Sequence, residues 1–150
     1  MYVQTFFQQL SKDNGKLRFY KHIKTEYAME TYLYQNDADK RSNVCKIRIS
    51  AHSLEIEKGR YKKVPVQDRL CKYCATDAVE DEIHFICNCP HYEDERNNLF
   101  DTIKTLFPTF HQLVDLKKTI FLLKSQNPLI IKEVGLFISH CLQRRSQTTQ

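Results

Sequence analysis

The stretch Cys71-Lys72-Tyr73-Cys74-Ala75-Thr76-Asp77-Ala78-Val79-Glu80-Asp81-Glu82-Ile83-His84-Phe85-Ile86-Cys87-Asn88-Cys89-Pro90 holds four of the six cysteines of a 150-residue chain, with a histidine among them. Two residues between Cys71 and Cys74 let the backbone turn once, so that both sulfurs face one point, as half of a tetrahedral zinc shell requires. The other half follows in a different local structure. Glu80, Asp81 and Glu82 supply acids for a first helical turn, His84 lies within that turn, and Pro90 ends the segment. Cys87, three residues beyond His84, shares its helical face, whereas Cys89, five beyond, reaches the same point only where the helix is ending. Spacing alone leaves both open as the fourth ligand. Either way three thiolates and an imidazole fill the zinc shell and leave no vacant position, which makes the site structural. Buried, unliganded cysteines beside a surface histidine are the bland alternative, but scattered core thiols rarely gather this closely in sequence.

Around this stretch the charge is polarised. Residues 40–72 carry ten Lys/Arg against three acids, and residues 73–101 one Arg against eight acids, within a net charge of +5. A basic arm leads into an acidic segment, and the two can either neutralise each other or present a cationic surface. The densest basic run, Arg60, Lys62, Lys63, Arg69 and Lys72, lies on the approach to Cys71 and is the candidate for contacts with nucleic-acid phosphates. Hydrophobic content of 41% and charged content of 27% are those of an ordinary globular chain able to bury a core. Three glycines, four prolines and no tryptophan point to a mostly helical fold. No membrane span or signal peptide is visible, which favours a reducing intracellular compartment, nuclear or cytoplasmic, and disfavours disulfides.

Outward from the centre, the periodicity predicts helices. Residues 1–15 read as the end of a preceding helix closed by Asp13-Asn14-Gly15, Lys16 to Lys24 as a strand or extended segment, and Glu26 to Tyr34 as a short helix rich in tyrosine. Tyrosines interleaved with bases can stack on nucleobases, though they more often pack. A long helix is expected from Asp39 or Ser42 to Lys58, stopped by Gly59 as a C-cap. Its two apolar stripes, Val44, Ile47, Ala51, Leu54 and Cys45, Ile49, His52, Ile56, imply neighbours on both sides, with Arg48, His52 and Glu55 as a polar cluster between them. Beyond the cysteines, helices are expected over Tyr92 to Phe107, Leu116 to Lys124, and Pro128 to about Gln143. The resulting fold is a small helical domain over 16–145, stapled by a zinc module at 69–92, with Ser146 to Gln150 as a disordered tail.

Catalytic patterns are missing: there is no H-E-x-x-H helix, no glycine-rich phosphate loop and no G-x-S-x-G elbow. The expectation is a non-catalytic module with no small-molecule substrate.

The residues do carry a resemblance. Lys46 to His52, Glu55 to Tyr61, Arg69-Leu70-Cys71 with Cys74, Val79 to Glu82, His84-Phe85, and Cys89-Pro90 with Tyr92 together resemble the carboxy-terminal zinc-binding region of reverse transcriptases from non-LTR retrotransposons. That resemblance covers about 16–145 and is specific over 44–100. It implies that the cysteine before proline is the ligand, giving the set Cys71, Cys74, His84 and Cys89. It further implies binding to RNA or DNA, partnership with a reverse transcriptase or another protein, and a truncated or domesticated copy lacking a polymerase core. Retroviral knuckles differ, having glycine after the second cysteine and four residues before the histidine. Here Ala75 follows Cys74 and nine residues intervene, so a larger helical unit is implied. A docking domain in which zinc is purely structural is the competing expectation.

Overall fold

The computed structural model describes Gln8, Lys16, Leu17 and residues 19–35 and 37–148. The helix end expected over 1–15 lies, Gln8 apart, outside the described residues. The chain is mostly helical, and among the described residues it has no strand, only an isolated antiparallel bridge between Leu70 and Val79.

Two single turns, α1 (Tyr20–Ile23) and α2 (Tyr32–Gln35), replace the extended segment and the longer helix expected before residue 36. Phe19, Ile23 and Tyr32 anchor them in the core, while Tyr27, Met29 and Tyr34 stay exposed. Burial of alternate anchors, not helical propensity, sets this region's path.

The long helix expected over 39–58 is two helices, α3 (Ala38–Arg48) and α4 (Glu55–Tyr61). The Asp37 side chain caps α3 by accepting from the Lys40 amide at 3.0 Å. At the other end the amide of Ala51 donates to Lys46 O and that of Ser50 to Ile47 O. This is a Schellman closure, whose pivotal residue must be left-handed. Ser50 takes that place with φ 52°. Its hydroxyl donates to the Glu82 carboxylate at 2.9 Å, offsetting part of the conformational cost. Nothing in the sequence marks the break, because the pivot is neither glycine nor asparagine.

The break disperses the polar cluster expected at Arg48, His52 and Glu55. Arg48 pairs with Glu30, His52 with Glu82, and Glu55 with Lys58 and Lys72. Ala51, expected on an apolar stripe, is exposed. Gly59 is not a cap but lies inside α4: a Cβ there would sit 2.5 Å from Arg69 Cγ and 2.6 Å from Cδ. The glycine makes room for an arginine crossing the helix.

The second half follows expectation more closely. Helix α5 (Glu93–Leu106) begins with three acids that suit its dipole, and Pro108 starts a 3-10 turn to Gln112. Helix α6 (Asp115–Lys124) precedes α7 (Pro128–Thr148), which has proline at its first position and Asn127 Oδ1 accepting from the Leu129 amide at 2.9 Å. Helix α7 packs against α2, α3, α5 and α6 and buries Ile130, Val134, Phe137, Ile138 and Cys141. It runs past the expected end at Gln143, so Ser146 to Thr148 are helical and not part of a disordered tail. Arg144 and Arg145 are held by Glu95 and Glu80, and these ties carry the helix onward.

Candidate metal centre

The backbone around Cys71 forms a minimal hairpin. Beside the Leu70–Val79 bridge, the Cys71 amide donates to Ala78 O at 2.9 Å and the Glu80 amide to Arg69 O at 3.0 Å. Asp77, left-handed at φ 52°, turns the chain back. The tip thus carries Cys71 and Cys74, with Cys71 buried and Cys74 half-buried.

His84 and Cys89 come from a π-helical turn, His84–Asn88. Asp81 starts it, its carboxylate accepting from the His84 amide at 2.8 Å. The Cys89 amide then closes the wide ring onto His84 O at 2.7 Å. Widening the turn to five residues brings Cys89 beneath His84, which an α-helix would not do. Cys89 is extended at φ −64°, ψ 118°, as Pro90 demands of the residue before it. The conditional geometry read from the sequence, a helix ending at Cys89, is therefore met by a π turn.

One ligand atom from each of Cys71, Cys74, His84 and Cys89 lies within 4.8 Å of the others. Cys74 Sγ is 3.4 Å from His84 Nε2 and Cys71 Sγ is 3.9 Å from Cys89 Sγ. Cys87 turns away: its Sγ meets Thr119 Oγ1 at 3.3 Å and Asp115 O at 3.6 Å, and burial pushes its thiol up to about 11. All six cysteines are free thiols.

Crowding makes the thiols resist ionisation together. The contact with Cys89, then burial, pushes Cys71 up to about 12, while the same contact holds Cys89 below the usual thiol range. Burial opposes protonation of His84, but the Cys71 and Cys74 sulfurs outweigh it and raise that group. One proton shared among crowded soft donors is the arrangement a divalent cation replaces, and three sulfurs with one imidazole suit a tetrahedral ion. The residues fit such an ion.

Residues not expected from the sequence support the centre. Glu80 Oε2 accepts from the Glu55 amide at 2.8 Å and Glu80 O from the Ile56 amide at 3.1 Å, so Glu80 caps α4. Its carboxylate also pairs with Arg145 from the end of α7, whose guanidinium lies over the Tyr73 ring at 4.2 Å. Tyr73 fills the Cys71–Cys74 turn, so the last helix clamps the knuckle directly. Arg96 Nη1 donates to Cys89 O at 2.8 Å and fixes the last ligand's backbone. Glu80 was legible only as an acid ahead of His84, and Arg145, 65 residues away, not at all.

The basic approach is less open than its charge suggests. Arg60 Nε donates to Glu57 at 2.8 Å and its guanidinium lies over Tyr61 at 4.5 Å. Arg69 donates to Val64 O and Ile56 O, both at 2.9 Å. Lys72, though well exposed, lies 3.2 Å from Glu55. Lys62 and Lys63 are exposed. The basic arm is thus neutralised by acids of its own helix, and the acidic segment by α7 and by Ser50 and His52.

Comparison with protein-family models, curated proteins and solved structures gives no match. Among the described residues no helix is long and apolar enough to cross a membrane.

Proposed function

We propose that the chain is a non-catalytic zinc module that binds RNA or DNA through phosphate contacts, of the kind that follows the polymerase in non-LTR retrotransposon reverse transcriptases. The observation that carries the reading is the convergence of Cys71, Cys74, His84 and Cys89, in a spacing that resembles that family's, directly after the exposed Lys62 and Lys63. Zinc is the ion because it takes this donor set with a closed tetrahedral shell. Its role is to hold the hairpin and the π turn together, while binding belongs to the cationic surface.

Metal analysis of protein purified without chelator tests the first half, with about one zinc per chain expected. Anisotropy titrations with single-stranded RNA and duplex DNA across a salt series test the second. Affinity should fall steeply with salt, and Lys62→Ala with Lys63→Ala should lower the slope of log K against log salt by about 1 for each lysine. Salt-independent or undetectable binding overturns the nucleic-acid reading. A second reading, a docking domain for a polymerase or another protein, is favoured by the engagement of Arg60, Arg69 and Lys72 within the fold. It predicts a partner-dependent rise in mass with no nucleic-acid binding.

A further inference from the structure

A second cationic feature lies apart from the metal centre. A cavity of about 130 Å³ opens between the 24–32 loop and the carboxy-terminal end of α6, lined among others by Lys24, Thr31, Arg48, Lys124 and Ser125. Arg48 is held between two rings, its guanidinium 4.7 Å from the Tyr32 centroid and 5.9 Å from that of Tyr20. Its side chain is 6% exposed, and its Nε, wholly buried, has no hydrogen-bond partner among the described residues. A buried donor left unsatisfied costs about 1–3 kcal/mol, more when charged, so a native site ordinarily supplies an acceptor.

The charges on the walls say what kind. Glu30 is the acid within reach, and its carboxylate already accepts from Tyr20 Oη and pairs with both Arg48 and Lys24. Lys124 is exposed at the mouth, and Glu26 is the other acid lining it. Three cations face two carboxylates, with hydroxyls of Thr25, Thr31 and Ser125 as further donors. The volume matches about four waters at 30 Å³ each, room for an oxyanion head group and not for a nucleobase. The mouth, however, is flanked by apolar and aromatic surface: Tyr27, Met29 and Tyr34 are 69%, 70% and 67% exposed, with the Tyr34 hydroxyl on Met29 Sδ.

We propose that this cavity takes a phosphate of single-stranded RNA or DNA, with the adjoining base on the Tyr27–Met29 surface. The proposal rests on the nucleic-acid reading above and adds a second contact point to it. A single strand is specified because only an unpaired base offers a free face for stacking, while the buried donors take the phosphate whatever the sequence.

The test uses the full chain with zinc. Inorganic phosphate is titrated in chloride buffer while the assigned Arg48 Nε–H cross-peak is followed by NMR. Single-stranded and duplex oligonucleotides are titrated in parallel against wild type, Lys124→Ala and Tyr27→Ala, both at exposed positions. The expected result is a saturable shift of the Arg48 peak. Each variant should lose about fivefold or more in single-strand affinity, with Tyr27→Ala sparing duplex binding. Equal oligonucleotide affinity in wild type and variants, with a stationary Arg48 peak, overturns the site and leaves the proposed function standing. A moving peak with no oligonucleotide binding to wild type overturns nucleic acid as the ligand and leaves a small-anion site.

Discussion

At the scale of single residues, the metal centre turns on which cysteine follows His84. Cys89 Sγ faces Cys71, whereas Cys87 Sγ is taken up by Thr119 and Asp115. Cys89→Ser should abolish stoichiometric zinc, and Cys87→Ser should keep it, by metal analysis of each purified variant. Zinc retained by both sinks the ligand set. Gly59 gives a second residue-scale expectation. In an ordinary helix, alanine for glycine gains about 1 kcal/mol. Here the new Cβ meets the Arg69 stem at 2.5 Å, and displacing it breaks two bonds to backbone carbonyls. Overpacking costs about 1–3 kcal/mol. Gly59→Ala should therefore lower stability by about 1–2 kcal/mol in urea unfolding, and a gain would show that Arg69 moves freely.

Between elements, the decisive joint is the one the sequence hides. The Cys71–Glu80 hairpin, the start of α4 and the end of α7 meet at Glu80, where a buried carboxylate serves an amide and a guanidinium at once. Removing one member of a buried pair strands the other and costs about 3–5 kcal/mol. Arg145→Ala should lose about that much, while Arg144→Ala, whose pair with Glu95 is 43% exposed on the arginine side, should lose under about 1 kcal/mol. Comparable losses would deny Arg145 its special place. Helices α5, α6 and α7 and the four converging metal-site side chains were legible because local signals announce them: a proline start, a run of acids, a two-residue cysteine spacing. The break between α3 and α4 was not, because a serine fills a glycine's position with help from Glu82, 32 residues on. The Arg145 clamp was illegible for the same physical reason: long-range pairing leaves no periodic trace.

For the whole molecule, these joints make folding and metal binding one equilibrium, and proton linkage then sets its pH dependence. In the unfolded chain the three thiols titrate near about 8.5 and the imidazole near about 6.5. Zinc-bound, all four must be deprotonated, so their folded values are depressed far below those. A depressed folded value gives stability that is present above the unfolded value and lost as pH falls. Between about pH 6.5 and 8 the unfolded state therefore holds about three more protons, a slope of about 4 kcal/mol per pH unit, and His84 adds about 1.4 below that range. Asp81, which burial pushes above the ordinary aspartate value, has the opposite sign, since its neutral form is favoured on folding. It titrates among the carboxylates and leaves this window untouched. Urea midpoints at fixed free zinc should thus fall steeply from pH 8 to pH 6.5, and a chelator should both lower them and flatten the slope. The same steep slope with chelator present would mean that the protons belong to other groups, and that Cys71, Cys74, His84 and Cys89 do not fold around a metal.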